Sequence, residues 1–277
     1  MNDQKKLSLV TAAGAAAALV LRLVQRLTGF EELTGLAKPG NLAAVLLALV
    51  LVAAAAGVWW LSRAWRNEDQ RAFTDAFSTD SAARLTVIVM GIFLMAVGGA
   101  LQVAFGAMGG GLQSVMLQSG TVGLVWMGNI SPAEVLLLGL CAVVSAVCLF
   151  PAAAACRRRE EEEPRTVSGE MLLIPVVCMV VRLVLLYRIN SIDPVLQAYY
   201  VELLAVVFVT LALYQLAGFA VGQGRPRTYC ISSALAMVLC AAALADGHDI
   251  SGTVFYLGCG LTVLGFRLLY RAGTEEA

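Results

Sequence analysis

Between Arg84 and Glu134 the chain carries no charged residue, and a second uncharged run extends from Leu203 to Gly224. A soluble domain must distribute charge along its whole length to keep a polar surface. Apolar stretches of about 18 residues or more are instead long enough to cross a bilayer as helices. Only 14% of the 277 residues are charged, 60% are hydrophobic, and the charges fall in bunches. The expected fold class is all-α: a polytopic membrane helix bundle of about eight transmembrane helices.

The expected spans are 7–27, 42–62, 84–105, 133–151, 170–188, 195–221, 228–246 and 252–270. The first follows Lys5 and Lys6 but ends in Arg22 and Arg26, which fits a span better than a cleavable signal with its short apolar region. Capping chemistry marks several starts. Ser131-Pro132-Ala133-Glu134 forms a capping box with proline at the first helical position, Asp193-Pro194 repeats the order, and Asp80 or Ser81 can cap the third span.

Arginine and lysine set the orientation, because short cytoplasmic loops retain positive charge. Fourteen of the nineteen (5, 6, 63, 66, 71, 84, 157, 158, 159, 165, 225, 227, 267 and 271) fall on one side, and Arg26, Lys38 and Arg188 on the other. Arg22 and Arg182 remain inside the membrane. The expected placement is a multi-pass protein of the cell membrane with both termini cytoplasmic. Residues 106–131 are uncharged but glycine-rich and interrupted by Gln113, Gln118 and Asn129. A full span there would invert everything downstream, so a re-entrant or outer-surface element is expected.

The halves of the chain resemble each other. Arg22-Leu23-Val24 matches Arg182-Leu183-Val184, and Leu138-Gly139 parallels Leu257-Gly258. These matches suggest a parallel duplication, with a first four-helix repeat over 1–156, a charged linker over 157–168 and a second repeat over 169–277.

Ionisable side chains within spans are costly and usually face a partner or a wet cavity. Arg182 and Glu202 lie at similar depth in consecutive spans and could pair. The duplication puts Leu42 where a partner for Arg22 should be. Arg22 then either snorkels, meets Glu31 or Glu32, or faces an outward cavity that receives an anion. Arg22, Arg182 and Glu202 are the candidate substrate-binding residues. Asp246, His248 and Asp249 form a weaker metal or acid–base candidate on a loop. The seven cysteines lie almost entirely in apolar stretches and read as small packing residues.

No lysine or histidine falls within a span, and no phosphate-binding loop, zinc-protease helix or nucleophile elbow is present. Neither a catalytic residue nor a cofactor is implied, and a net charge of zero gives no footprint for nucleic acid. The leading expectation is a small-molecule transporter, or the membrane subunit of one, embedded in lipid and relying on a partner protein for energy or signal output. A non-catalytic sensor or assembly protein is the first alternative, with Trp65, Phe73 and Phe77 in the loop at 63–83 as its docking surface. A lipid-modifying enzyme using the Asp246 to Asp249 turn is the second.

Overall fold

The computed structural model describes residues 3–30, 38, 40–64, 73–79, 81–108, 131–157, 167–190, 196–246 and 249–275. Its helices are α1 (Asp3–Thr28), α2 (Leu42–Leu61), the short α3 (Phe73–Phe77), α4 (Ala82–Ala107), α5 (Pro132–Ala155), α6 (Gly169–Asn190), α7 (Leu196–Ala220), α8 (Pro226–Ala243) and α9 (Ile250–Glu275). All but α3 contain a segment long and apolar enough to cross a membrane, which gives the eight expected spans. The protein is a multi-pass membrane helix bundle.

Local chemistry explains several boundaries. Ser131 accepts from the Glu134 amide at 3.3 Å, and Glu134 accepts from the Ser131 amide at 3.0 Å, closing the expected capping box at α5. Asn41 caps α2 through the Ala43 amide, a cap the sequence reading missed. Ser81 stands at the start of α4, yet its side chain makes no capping bond. Asp80, the Asp193-Pro194 pair and nearly all of the 106–131 segment lie outside the described residues.

Six helices close a circuit: α4 packs on α5, α5 on α6, α6 on α7, α7 on α8, α8 on α9, and α9 returns to α4. The α1–α2 pair docks from outside, mainly through α1 on α8. Burial follows this plan. Leu47 and Val58 of α2 are buried while Leu42, Leu49 and Val52 are exposed, the apolar exterior that a lipid solvent accepts. The most extensive packing, α4 on α9, crosses the midpoint of the chain, and no internal repeat emerges from these contacts.

Glycine sets the spacing at α4. A Cβ on Gly258 would stand 2.4 Å from the Met95 amide, and one on Gly139 would stand 2.6 Å from the Gly99 carbonyl. The similar Leu-Gly pairs of α5 and α9 thus do the same work, each letting its helix approach α4 backbone to backbone. Small residues at helix contacts are the membrane substitute for a hydrophobic driving force.

At one end of the bundle the helices are tied by aromatic packing. The Phe77 ring meets Phe219, Tyr229, Phe266 and Tyr270 at 5.3–6.2 Å between centroids. This overturns one expectation: Phe73 and Phe77 are buried, because α3 tucks into the bundle against α9 and α7. They offer no docking surface, and Trp65 lies outside the described residues. At the same end Arg63 stacks over Trp59 at 4.1 Å and over Trp60 at 5.1 Å, the aromatic and basic mixture of a membrane interface. Arg267 departs from its expected place. It belongs to α9 and is only 8% exposed, so it is a bundle residue and not a loop charge.

Cys156 closes α5 just beyond the span, buried, with its thiol 3.1 Å from the Ala152 carbonyl. Burial pushes that thiol up to about 12. Only the thiolate reacts with alkylating reagents, so at pH 8 about one Cys156 in ten thousand is reactive. Iodoacetamide labelling read by peptide mass spectrometry should leave Cys156 unmodified in the folded protein and modify it after denaturation. Rapid labelling of the folded state would contradict the burial.

Candidate functional site: a charge network within the membrane

The end opposite the aromatic cluster gathers charge. On α1, Arg22, Gln25 and Arg26 recur at spacings of three and four and so share one helix face. Because α1 packs on α8, that face meets the turn leaving α8. There the Ala245 and Asp246 amides bond back to Ala242 and Ala243, each at 3.0 Å, which holds the Asp246 carboxylate against α1. The Arg22 Nε donates to Asp246 Oδ1, and its Nη1 donates to Gln25 Oε1 at 2.9 Å. Arg26 Nε reaches the same carboxylate oxygen at 3.3 Å. Arg22 is 0% exposed and lies 5.4 Å from the centroid of the Tyr200 ring on α7.

A second constellation lies among α4, α6, α7 and α9. Arg182 Nη1 donates to Gln102 Oε1 at 3.1 Å, and its guanidinium lies 3.6 Å from the Phe255 ring centroid and 5.7 Å from that of Tyr256. The Tyr256 hydroxyl donates to Glu202 Oε1 at 2.7 Å. Arg182 is buried, and its Nε has no hydrogen-bond partner among the described residues. Formally the network holds three arginines against two carboxylates.

These contacts revise the sequence expectations. Arg22 is no unpaired cation at an outward cavity, nor does it snorkel: its carboxylate comes from Asp246, far away in sequence and beside α1 only because α1 docks on α8. Glu31 and Glu32 lie outside the described residues. Arg182 and Glu202 are brought together, but the link runs through Tyr256. Asp246 and Asp249 do not converge as a metal or acid–base pair. The carboxylate of Asp246 faces the arginines, while that of Asp249 accepts the Gly252 amide at 3.0 Å and the Ser251 hydroxyl, capping the start of α9. His248 lies outside the described residues, among which no three His, Cys, Asp or Glu side chains form a metal-ligand group.

Sequence reasoning missed Gln102, Gln25 and Tyr256. A glutamine in the long uncharged run that follows Arg84 on α4 was a visible signal, since an amide in hydrocarbon needs a partner. The hydroxyl of Tyr256 gave none. Near the network, Arg188 reaches Glu134 at 3.1 Å, but Arg188 is 74% exposed, so the pair contributes about 1 kcal/mol or less.

No family model matches the sequence, and neither a curated protein nor a solved structure matches it.

Proposed function

We propose that this protein is a membrane carrier for small anionic solutes, with Arg182 as the cation that receives the substrate. One observation carries the reading. Arg182 of α6 is buried against α4 and α9 with the neutral Gln102 amide and Tyr256 as its polar neighbours, and its Nε has no hydrogen-bond partner among the described residues. A buried cation is normally matched by a carboxylate, and ionisable groups at membrane depth mark ligand or ion pathways by default. Here the nearest acid of the constellation, Glu202, is engaged by Tyr256. An incoming carboxylate or phosphate would supply the missing counter-charge through charge-assisted bonds.

Arg22 and Asp246 take a supporting role, holding α1 to the body of the bundle, and Glu202 positions Tyr256 beside Arg182. Both termini are assigned to the cytoplasm. With Arg26 and Arg267 moved into spans, the remaining loop and helix-end charges still divide thirteen to two, the bias that sets topology. The sensor or assembly alternative loses the docking face it relied on at Phe73 and Phe77. The lipid-modifying alternative loses the convergence of Asp246 and Asp249.

Purified protein in neutral detergent should show a rise in melting temperature with at least one of acetate, lactate, glutamate, inorganic phosphate and glycerol 3-phosphate. A ligand at one hundred times its Kd adds about 2.7 kcal/mol to stability. Arg182→Gln should abolish the shift, and uptake of the same anion into proteoliposomes should fall with it. Failure of every anion to move the wild type, or an equal shift in Arg182→Gln, overturns the assignment.

A further inference from the structure

The opposite end of the bundle holds a separate feature. A cavity of about 210 Å³ opens between the start of α1, the body of α8 and the end of α9, lined among others by Leu7, Ala12, Met237, Leu264 and Arg267. Its walls are mostly apolar, although Ser8, Thr11 and Tyr270 also line it and the Thr11 hydroxyl is turned back onto the Leu7 carbonyl. Arg267 is the one charged residue named in the lining: it is more than nine-tenths buried, and its Nη1 has no hydrogen-bond partner among the described residues. A guanidinium donor left unmade beside an apolar cavity is costly unless an acceptor arrives there.

Polar and apolar groups are arranged lengthwise. Arg267 lies three residues before Tyr270, the last residue of its span, so it is about 5 Å from the membrane edge. Met237 lies eleven residues into α8, about 16 Å from the same edge. The cavity is larger than the 150 Å³ void that holds benzene in an apolar protein interior. One cation near the surface with hydrocarbon walls running inward matches a molecule with one anionic head and an alkyl chain, and fits neither a small hydrophilic anion nor a neutral oil.

We infer that this cavity binds an anionic amphiphile from the adjoining leaflet, its head on Arg267 and its chain running toward Met237 and Ala12. The site shares no residue with the Arg182 constellation and stands whether or not the protein carries anions.

Native mass spectrometry of the full chain in neutral detergent tests this directly. Oleate, phosphatidylglycerol, phosphatidylcholine and inorganic phosphate are titrated separately. One copy of oleate or phosphatidylglycerol should bind at least tenfold more tightly than phosphatidylcholine. Inorganic phosphate, which lacks a chain, should not displace it. Binding of oleate alone identifies a free acid as occupant and binding of phosphatidylglycerol a bilayer lipid; either supports the site. Arg267→Gln should lower binding of the anionic ligand about tenfold while circular dichroism stays unchanged. A chain-length series from octanoate to oleate on the wild type gives a reading that needs no variant, and affinity should rise with length. Equal retention of phosphatidylcholine, displacement by inorganic phosphate, affinity independent of chain length, or undiminished binding by a folded Arg267→Gln protein would each overturn the proposal.

Discussion

Asp246→Ala is expected to destabilise the protein by about 3–5 kcal/mol, the usual loss when one member of a buried ion pair is removed. The effect is large because of what remains. Arg22 is 0% exposed and the Asp246 side chain is fully enclosed, so deletion takes from a buried guanidinium the carboxylate to which its Nε donates. Arg26, with 30% of its side chain exposed, can turn toward water and should matter much less: Arg26→Gln is expected to cost about 1 kcal/mol or less. The double variant Arg22→Leu/Asp246→Leu removes both charges from the interior and should be more stable than either single charge deletion, since apolar replacements of a buried pair are often neutral. Residues in direct contact are coupled by about 0.5–3 kcal/mol, and thermal or denaturant unfolding of wild type, Arg22→Leu, Asp246→Leu and the double variant in one detergent measures that coupling. Asp246→Ala within about 0.5 kcal/mol of wild type, or strict additivity of the two sites, would show that the pair does not hold α1 to the bundle.

The same residues show what can be read from a sequence of this kind. Span number was legible because each crossing is a local property: about twenty apolar residues with caps at the ends. The Ser131–Glu134 capping box was legible for the same reason. That Arg22 and Arg182 sit at membrane depth was also legible, because charge within an apolar run needs no tertiary knowledge to be seen. Their partners were not. Asp246 reached Arg22 only through the docking of α1 on α8, which brings together two residues 224 positions apart in the chain. The internal similarity offered a wrong guide to that partner, since it aligned Leu42 with Glu202. Arg267 was misread because a charge near a helix end looks the same in sequence whether it snorkels to water or turns into the bundle. Phe73 and Phe77 were misread similarly: two aromatics in a polar loop cannot announce that the loop folds back under four other rings.

Polar networks and glycine contacts are joined through α9, which carries Phe255 and Tyr256 on one side of the constellation and rests on α4, the helix that carries Gln102. Their separation is set by backbone contact. Beyond the Met95 amide at 2.4 Å, a Cβ on Gly258 would meet the Gly91 carbonyl oxygen at 2.9 Å, while a Cβ on Gly91 would lie 2.4 Å from the Thr262 amide. No rotamer change relieves an overlap with main-chain atoms, so Gly258→Leu must push the two helices apart. Its cost is expected to exceed the about 1–3 kcal/mol typical of overpacking, where side chains can still give way. Gly260 provides the control on the same helix: its nearest neighbour would be the Cys240 Cβ at an ordinary 3.4 Å. Gly260→Ala should therefore be neutral or gain up to about 1 kcal/mol from helix propensity. Melting temperature and monodispersity in detergent report both changes. If milder Gly258→Ala folds, displacement of α4 should also draw Gln102 away from Arg182 and weaken anion binding, whereas Gly260→Ala should leave it intact. A Gly258→Leu protein with wild-type melting would mean that α4 and α9 are not held at backbone contact, and the placement of Gln102 on Arg182 would fall with that spacing.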